Sequence, residues 1–409
     1  MNRYDVQNHI KDYIDGFDAV SDHDHHLDDS FFNSPPNLDK ILGNSYLAWT
    51  GFSWGESPRS REEFLGHVSY NSYFTWLEKG IQKVHNWDQD IRADNWDALS
   101  EKMGENYAHG EFHLNSLKTC FKKMIIDTYW NPGGDNGHPE IFVPSFRIDK
   151  FMYGFHPESE APDRFFPWQE YRFSGTTIDE YVENMCSVIK ERYDRGKIKA
   201  FKCAEAYKRS INFLPDERKR AEIAFRRPPL EITGEDKIFF GNYIFNRCCE
   251  LAEELSLPFQ IHTGLGDLSG SEPMNLLPLL QKYPGINFIL LHSGYPWTNQ
   301  IGGIIHNHPN AFPSLTWTPS ISTSAAMAAL NDYIDVSPSI RHISWGTDSW
   351  TTEEAVGALL AWRHVLTNVI TERIVSRDMS IAKGERLAEL LLSENNVGIY
   401  SLKKGKKGD

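Results

Sequence analysis

The sequence has few cysteines, no excess of basic charge and no long apolar run. Only five of its 409 residues are Cys, an odd number, and no spacing among them resembles a zinc knuckle or a redox pair. Without a disulfide framework, the chain is expected to be a reduced, cytoplasmic protein. No apolar run has the length of a membrane helix, and the polar residues 1–18 have no signal-peptide core.

The charge and composition narrow the class of partner. A formal net charge of −14 argues against nucleic acid or an anionic membrane as the main partner. A small-molecule substrate is expected instead, and it can still be anionic because a pocket can be locally positive. Apolar residues make up 40% and charged residues 24%, a globular composition. We expect a homo-oligomer, and we expect the short basic tail over residues 403–407 to be a solvated end.

From about residue 120 onward, short apolar segments alternate with long amphipathic helices. This alternation predicts parallel strands joined by crossover helices. With the segment before His23 included, eight strands are predicted, near residues 20, 125, 143, 200, 260, 289, 315 and 344. Eight strands close a (β/α)₈ TIM barrel, which is the predicted α/β fold. An open doubly wound sheet is the alternative, but no Gly-rich dinucleotide turn follows any strand.

A second block, residues 34–118, has no strong strand pattern and is rich in aromatic residues. Helices are predicted over 59–81 and 95–107. We interpret the block as a helical insertion after strand 1 that caps the barrel mouth, with the whole chain, 1–409, forming a single domain. A separate helical domain is the alternative.

The candidate site begins with His23 and His25, directly after the first predicted strand. Residues i and i+2 of a strand point to the same side, so both imidazoles would project together as half of a metal site. Catalytic residues of a closed barrel lie at the C-terminal ends of its strands. The other predicted strand ends carry polar residues suited to metal binding and proton transfer: Arg147, Lys202, His262, His292 and Asp348.

Several of these stretches resemble the amidohydrolase superfamily of metal-dependent hydrolases. Within it, the chain is most similar to the amidohydrolase-related branch, which includes uronate isomerases, metal-dependent decarboxylases and the barrel fused to glutamine synthetase in nodulin-like proteins. The matching stretches are DHDH (22–25), FK (201–202) with Tyr207, IHTGLGD (261–267), LHSGYP (291–296), GTD (346–348) and SENNVGIY (393–400). The likeness covers about residues 17–30 and 120–400, and residues 31–119 match nothing in it.

The resemblance implies that a divalent metal is held by four residues: His23, His25, His262 and Asp348. Zinc is the first expectation and manganese the alternative. His292 would be a second ligand or a proton-transfer residue. In several relatives the lysine of strand four is carbamylated and bridges two metals, and Lys202 could do this, anchor a substrate carboxylate or pack under the site. Ser314 and Thr316 depart from the pattern, since relatives often carry an acidic and a small residue there.

The expected chemistry is hydrolysis through a metal-activated water. Asp348 would take the proton and pass it to the leaving group, and His292 would polarise the carbonyl or donate a proton. Arg147, Lys202 and Tyr207 are expected to bind an acidic substrate. The first hypothesis is therefore a hydrolase of a small carboxylate-bearing amide or lactone. Non-oxidative decarboxylation or uronate-isomerase-like proton transfer on the same site is the second, and a non-catalytic binding barrel is the third.

Overall fold

Seven parallel strands form one sheet in the computed structural model, which describes residues 2–196 and 198–402. The basic tail lies outside the described residues. The strands neighbour one another in chain order and are β1 (Ala19–Asp24), β2 (Phe121–Ile126), β3 (Phe142–Arg147), β4 (Ala200–Cys203), β5 (Phe259–His262), β6 (Phe288–Leu291) and β7 (Ala311–Pro313). Most strand residues are buried, as the near-continuous apolar runs of a parallel sheet require. The predicted α/β architecture is confirmed.

The predicted eighth strand is an irregular segment over residues 343–348. It pairs with the chain directly after β7 through a parallel β-bridge between Ser314 and Ser344. On its other side, the backbone N–H of Asp22 in β1 donates to the carbonyl of Trp345 at 3.0 Å. A Cβ on Gly346 would overlap the Asp22 carboxylate, so only glycine allows the segment to approach β1 this closely. The segment thus lies between the first and last strands of the sheet.

Helices connect the strands and cover the outside of the sheet. One helix, α1 (Arg3–Asp15), precedes β1. The helices after β2 are α8 (Pro167–Glu170), α9 (Ile178–Asp194), α10 (Arg218–Ala224), α11 (Gly234–Leu255), α12 (Leu277–Lys282), α13 (Thr298–Asn307), α14 (Thr318–Ile321), α15 (Thr323–Val336), α16 (Thr352–Val375), α17 (Ile381–Glu389) and α18 (Asn395–Ile399). A π-helical turn, Leu390–Glu394, joins α17 to α18. Among the described residues, no helix has the length and apolarity needed to cross a bilayer.

Six α-helices lie between β1 and β2, and a 3₁₀ helix, Tyr46–Thr50, lies between the second and the third of them. The six α-helices are α2 (Asp29–Phe32), α3 (Leu38–Gly43), α4 (Pro58–Val68), α5 (Ser72–His85), α6 (Trp96–Tyr107) and α7 (Phe112–Lys118). The prediction of a single helix over residues 59–81 is wrong, because α4 ends at Val68 and a second helix, α5, begins at Ser72. The Asn71 side chain accepts hydrogen bonds from the backbone N–H groups of Tyr73 and Phe74 and so begins a new helix.

The segment between β1 and β2 has an apolar core of its own that also reaches the sheet. Its buried side chains pack in one cluster with Trp317, which follows β7. Helix α5 lies directly against α16, where a Cβ on Gly80 would overlap the carbonyl oxygen of Glu353. The buried pair of His85 and Glu353, 2.8 Å apart, joins the same two helices. The segment is therefore packed into the rest of the fold through both apolar and polar contacts.

Candidate active site

Three of the predicted ligands form one buried donor group. The Nε2 atom of His25 lies 3.3 Å, and that of His23 3.7 Å, from Oδ1 of Asp348. One ligand atom from each of the three residues lies within 4.8 Å of those of the other two. Both histidines come from the end of β1, whereas Asp348 comes from the segment that closes on it. Two imidazoles and a carboxylate are a donor set that suits zinc and neighbouring metals.

Hydrogen bonds from behind fix the ring of each histidine. The amide Nε2 of Gln260 donates to the carbonyl of Asp22 at 2.6 Å and to Tyr400 Oη at 2.9 Å. A carbonyl can only accept, so Gln260 Oε1 is the atom that accepts from His23 Nδ1 at 3.1 Å. His25 Nδ1 likewise donates to the backbone carbonyl of Asp127 at 2.9 Å. Both Nε2 atoms are left unprotonated toward Asp348, which is the arrangement a metal-ligating histidine needs.

His262, the fourth predicted ligand, is not a member of this donor group and lies next to His292 and Tyr207. Its Nε2 donates to the backbone carbonyl of Leu265 at 2.7 Å, which leaves Nδ1 as its free ring nitrogen. Its ring centroid lies 4.1 Å from that of His292 and 4.4 Å from that of Tyr207. A ligand role for His262 stays a prediction.

His292 has a ring nitrogen without a partner. Its Nδ1 lies 3.3 Å from the carbonyl of Thr316 and 3.6 Å from Oδ2 of Asp348. Its Nε2 is buried and makes no hydrogen bond to any described residue. Burial, followed by the charge of the neighbouring His262, holds the pKa of His292 well below its usual range. The ring is therefore neutral, with a lone pair on Nε2 that is open to a ligand.

The two predicted cationic residues, Lys202 and Arg147, differ in whether carboxylates pair with them. Lys202 is buried, with Nζ 3.4 Å from His23 Nε2, and burial together with Arg147 lowers its pKa to about 8. Arg147 donates from Nε to Asp127 Oδ2 at 2.8 Å and lies 3.3 Å from Asp149. Much of the Arg147 charge is thus matched by two carboxylates, whereas Lys202 has no carboxylate within ion-pair distance among the described residues.

Four residues with a Cβ around the site have positive φ angles. These are 54° at Asp348, 67° at His292, 52° at the adjacent Ser293 and 64° at Trp317. The left-handed region is costly for residues with a Cβ, by about 1–3 kcal/mol each, and such residues concentrate at functional sites. Two of the four, Asp348 and His292, are the predicted catalytic residues.

A cavity of about 350 Å³ opens from the donor group through His25. Aromatic rings form much of its wall, and charged groups face it from several strand ends. Its lining includes Tyr46, Trp49, Tyr129, Arg147, Asp149, Lys150, Glu205, Tyr207, Lys208 and Trp350. Tyr46, from the segment between β1 and β2, also donates from Oη to Asp348 Oδ1 at 3.3 Å.

Sequence reasoning missed two residues that hold the site together, Asp127 and Gln260. Asp127 directly follows β2, so the rule that strand ends carry functional groups could have found it. Gln260 lies inside β5, and no local pattern distinguishes it from a core polar residue. Its role depends on contacts with β1 and with Tyr400 near the end of the described chain.

Residues 198–394, which contribute Lys202, His262, His292 and Asp348, match the family model described as amidohydrolase. The resemblance to the amidohydrolases is confirmed. Protein fluG of Emericella nidulans is 25% identical over 246 residues, which cover 56% of this chain. That match covers 28% of fluG, so the chain spans little more than a quarter of its curated relative's length.

Solved structures similar to this amidohydrolase-like chain share its fold over nearly the whole length. Uronate isomerase from Thermotoga maritima superposes with a TM-score of 0.76 at 15% identity, over 97% of each chain. Glucuronate isomerase from Caulobacter crescentus gives 0.77 at 13% identity, over 99% of this chain and 95% of that one. A Lactobacillus casei protein provisionally named metal-dependent hydrolase gives 0.71 at 15% identity, over 96% and 97%. At these identities the likeness concerns the fold alone.

Proposed function

We propose that this protein is a metal-dependent hydrolase that cleaves an amide or lactone bond in a small, carboxylate-bearing substrate. The observation that carries the proposal is the buried donor group of His23, His25 and Asp348. Hydrogen bonds at both Nδ1 atoms leave the Nε2 atoms free to bind a metal, and His25 also faces the cavity. We propose zinc as the metal, with manganese as the alternative. When bound, such an ion would supply an activated water and polarise the substrate carbonyl.

Proton transfer is assigned to Asp348, a member of the donor group, and to His292 beside it. Asp348 is the proposed base, because its buried carboxylate faces both histidines of the donor group. The unpartnered Nε2 of His292 is the proposed contact to the reacting carbonyl or leaving group. Because His292 Nδ1 donates to the Thr316 carbonyl, Nε2 accepts a proton before it can donate one.

The residues that line the cavity suit a planar or compact anionic substrate. Its aromatic walls would pack against apolar or ring faces, and Lys150 and Lys208 add positive charge to a lining that also contains Asp149, Asp163 and Glu205. Arg147 and Lys202 remain the proposed carboxylate-binding residues. The pairing of Arg147 with Asp127 and Asp149 favours Lys202 as the stronger contributor. Tyr207 would add a hydroxyl from the cavity wall.

We propose that residues 343–348 occupy the eighth position of a (β/α)₈ barrel and that residues 34–118 cap its mouth. The first statement is supported by the backbone hydrogen bonds of this segment to β1 and to the end of β7. The second is supported by Tyr46 and Trp49, which line the cavity, and by the cluster that includes Trp317. A cap of this kind excludes water and strengthens electrostatics in the site. A cytoplasmic location is proposed from the five free cysteines.

Sugar-acid isomerisation is the second candidate, favoured by the fold shared with the two uronate isomerases. It would use the same donor group and the same proton-transfer residues, with a uronate in the cavity.

The discriminating experiment compares products from one substrate panel. Metal-free protein, and protein reconstituted with Zn²⁺ or Mn²⁺, would be incubated with N-acyl amino acids, sugar-acid lactones, uronates and aromatic carboxylic acids. Metal-dependent release of amine or opening of the lactone supports the proposal, and Asp348→Asn serves as the inactive control. Conversion of uronates without hydrolysis would replace the proposal with the isomerase, and carbon dioxide release would replace it with a decarboxylase. If metal alters none of these reactions, the hydrolase proposal is wrong.

A further inference from the structure

A second cluster of metal-ligating side chains lies away from the cavity, on three separate segments. Asp29 begins α2, His113 lies in α7, and His138 lies in the loop between β2 and β3. The Nε2 atom of His113 is 3.2 Å from Asp29 Oδ1, and that of His138 is 3.0 Å from both carboxylate oxygens. The cluster shares no residue with the donor group of His23, His25 and Asp348.

The two nitrogen–oxygen spacings in this cluster are close to those around a small tetrahedral cation, and all three ligand atoms lie within 4.8 Å of one another. Ligands held about 2.0–2.1 Å from a tetrahedral zinc ion lie roughly 3.3 Å from one another. The two nitrogen–oxygen distances, 3.2 and 3.0 Å, require only small movements to reach this geometry. Two imidazoles and one carboxylate leave one position for water.

The cluster combines rigid ligands with an open approach. The His113 ring stacks on Phe32 with centroids 4.0 Å apart and planes within 6°, so its orientation is fixed before any ion binds. The other ring nitrogen of His138, Nδ1, lies 3.7 Å from a carboxylate oxygen of Glu140, which is within ion-pair distance but too long for a hydrogen bond. The Asp29 side chain is 54% exposed, which gives an ion a path from solvent.

We infer that Asp29, His113 and His138 form a second divalent-cation site, best suited to Zn²⁺, that is independent of the catalytic centre. The bound ion ties together the chain that leaves β1, a helix of the 34–118 segment and the loop after β2. Its role is structural, because it lies outside the cavity and its ligands anchor three separate parts of the fold. A ligand that binds only the folded state stabilises that state by mass action.

The test counts zinc ions. Metal-free protein would be dialysed to equilibrium against micromolar Zn²⁺ and analysed for zinc per chain. We expect about two ions in the wild type and about one in His138→Asn, with His109→Asn, an exposed histidine substitution, as the matched control. Asp29→Asn serves as a second variant, because Asp28 rather than Asp29 provides the N-cap of α2.

A parallel variant separates this site from the catalytic one. His23→Asn/His25→Asn should lose the other ion and keep the one bound by Asp29, His113 and His138. Zinc should also raise the unfolding temperature of His23→Asn/His25→Asn. The rise should be smaller in the triple variant that adds His138→Asn to this pair. Equal zinc content and equal zinc-induced stabilisation in the wild type, His138→Asn and Asp29→Asn would overturn the inference. If the wild type binds only one ion, which His138→Asn loses and His23→Asn/His25→Asn keeps, this inference stands and the proposed function fails.

Discussion

His25 Nε2 lies 3.3 Å from Asp348 Oδ1, and this contact joins the first strand of the sheet to the segment that closes on it. Neither residue is held by its neighbours in sequence alone. His25 is oriented by the backbone of Asp127 after β2, and Asp348 receives a hydrogen bond from Tyr46 in the segment between β1 and β2. The proposed centre therefore depends on four parts of the chain being folded together.

Replacing Asp348 by Asn should remove the proposed base while preserving its shape. Proton-transfer residues typically contribute about 10²–10⁴-fold, so kcat should fall by that order in Asp348→Asn assayed at saturating metal. His292→Asn should lose about as much if Nε2 accepts a proton during turnover, and much less if the ring only packs. Kinetics and metal content would be measured on the same samples. Normal turnover in metal-loaded Asp348→Asn would place the base on another residue.

Gln260 should control metal affinity through the orientation of His23. In Gln260→Met the acceptor for His23 Nδ1 disappears, so the ring can rotate and its Nε2 is no longer fixed. Outer-shell partners of this kind typically change metal affinity by about 10–100-fold. Competition with a chromophoric chelator would measure the affinity, with Tyr400→Phe as a milder variant that removes only the hydroxyl contacting Gln260. Unchanged affinity in Gln260→Met would mean that the ring is held by other contacts.

Gly80 should be intolerant of a side chain because helices α5 and α16 touch there. A Cβ would overlap the Glu353 carbonyl, and overpacking of this kind costs about 1–3 kcal/mol of unfolding free energy. Gly104→Ala in α6 is the matched control. A Cβ there meets no atom within 4 Å, so the substitution should stabilise the protein by about 1 kcal/mol. Chemical denaturation would measure the free energy of unfolding of Gly80→Ala and Gly104→Ala. Equal changes in the two variants would show that α5 and α16 can move apart at little cost.

Glu354 should make stability depend on pH. Burial raises its pKa from 4.5 to about 7 despite hydrogen bonds from Tyr73 and from the backbone of Trp350 and Thr351. Between pH 4.5 and 7 the folded state keeps a proton that the unfolded chain has lost, so stability falls as pH rises through this window. At about 1.4 kcal/mol per pKa unit, the free energy of unfolding should decline by up to about 3 kcal/mol across this window. Glu354→Gln should remove that decline.

Denaturation curves across the window would test this expectation. Substitution of the exposed Glu62 by Gln is the control and should leave the decline in place. A Glu354→Gln variant whose stability falls with pH as steeply as the wild type would assign the titration to another group.

Local sequence patterns determined the strands and several residues at their ends. Buried parallel strands need continuous apolar runs, and side-chain alternation places His23 and His25 on one side of β1. The same reasoning identified Asp348, because a polar residue after an apolar run must lie where the chain leaves the sheet. These features depend on residues close in sequence, and a pattern search can read them.

Only the tertiary structure decided how the remaining groups are used. Arg147 is matched by Asp127 from the neighbouring strand end, and His262 turns its Nε2 to the carbonyl of Leu265. The segment near residue 344 forms no regular strand, and the Ser344 hydroxyl within it donates to buried Asp22 at 2.6 Å. Each of these outcomes depends on hydrogen bonds between groups from different segments or on the exact path of a loop. Such bonds form only once the strands are in register, so local propensity and hydrophobic pattern carry no information about them.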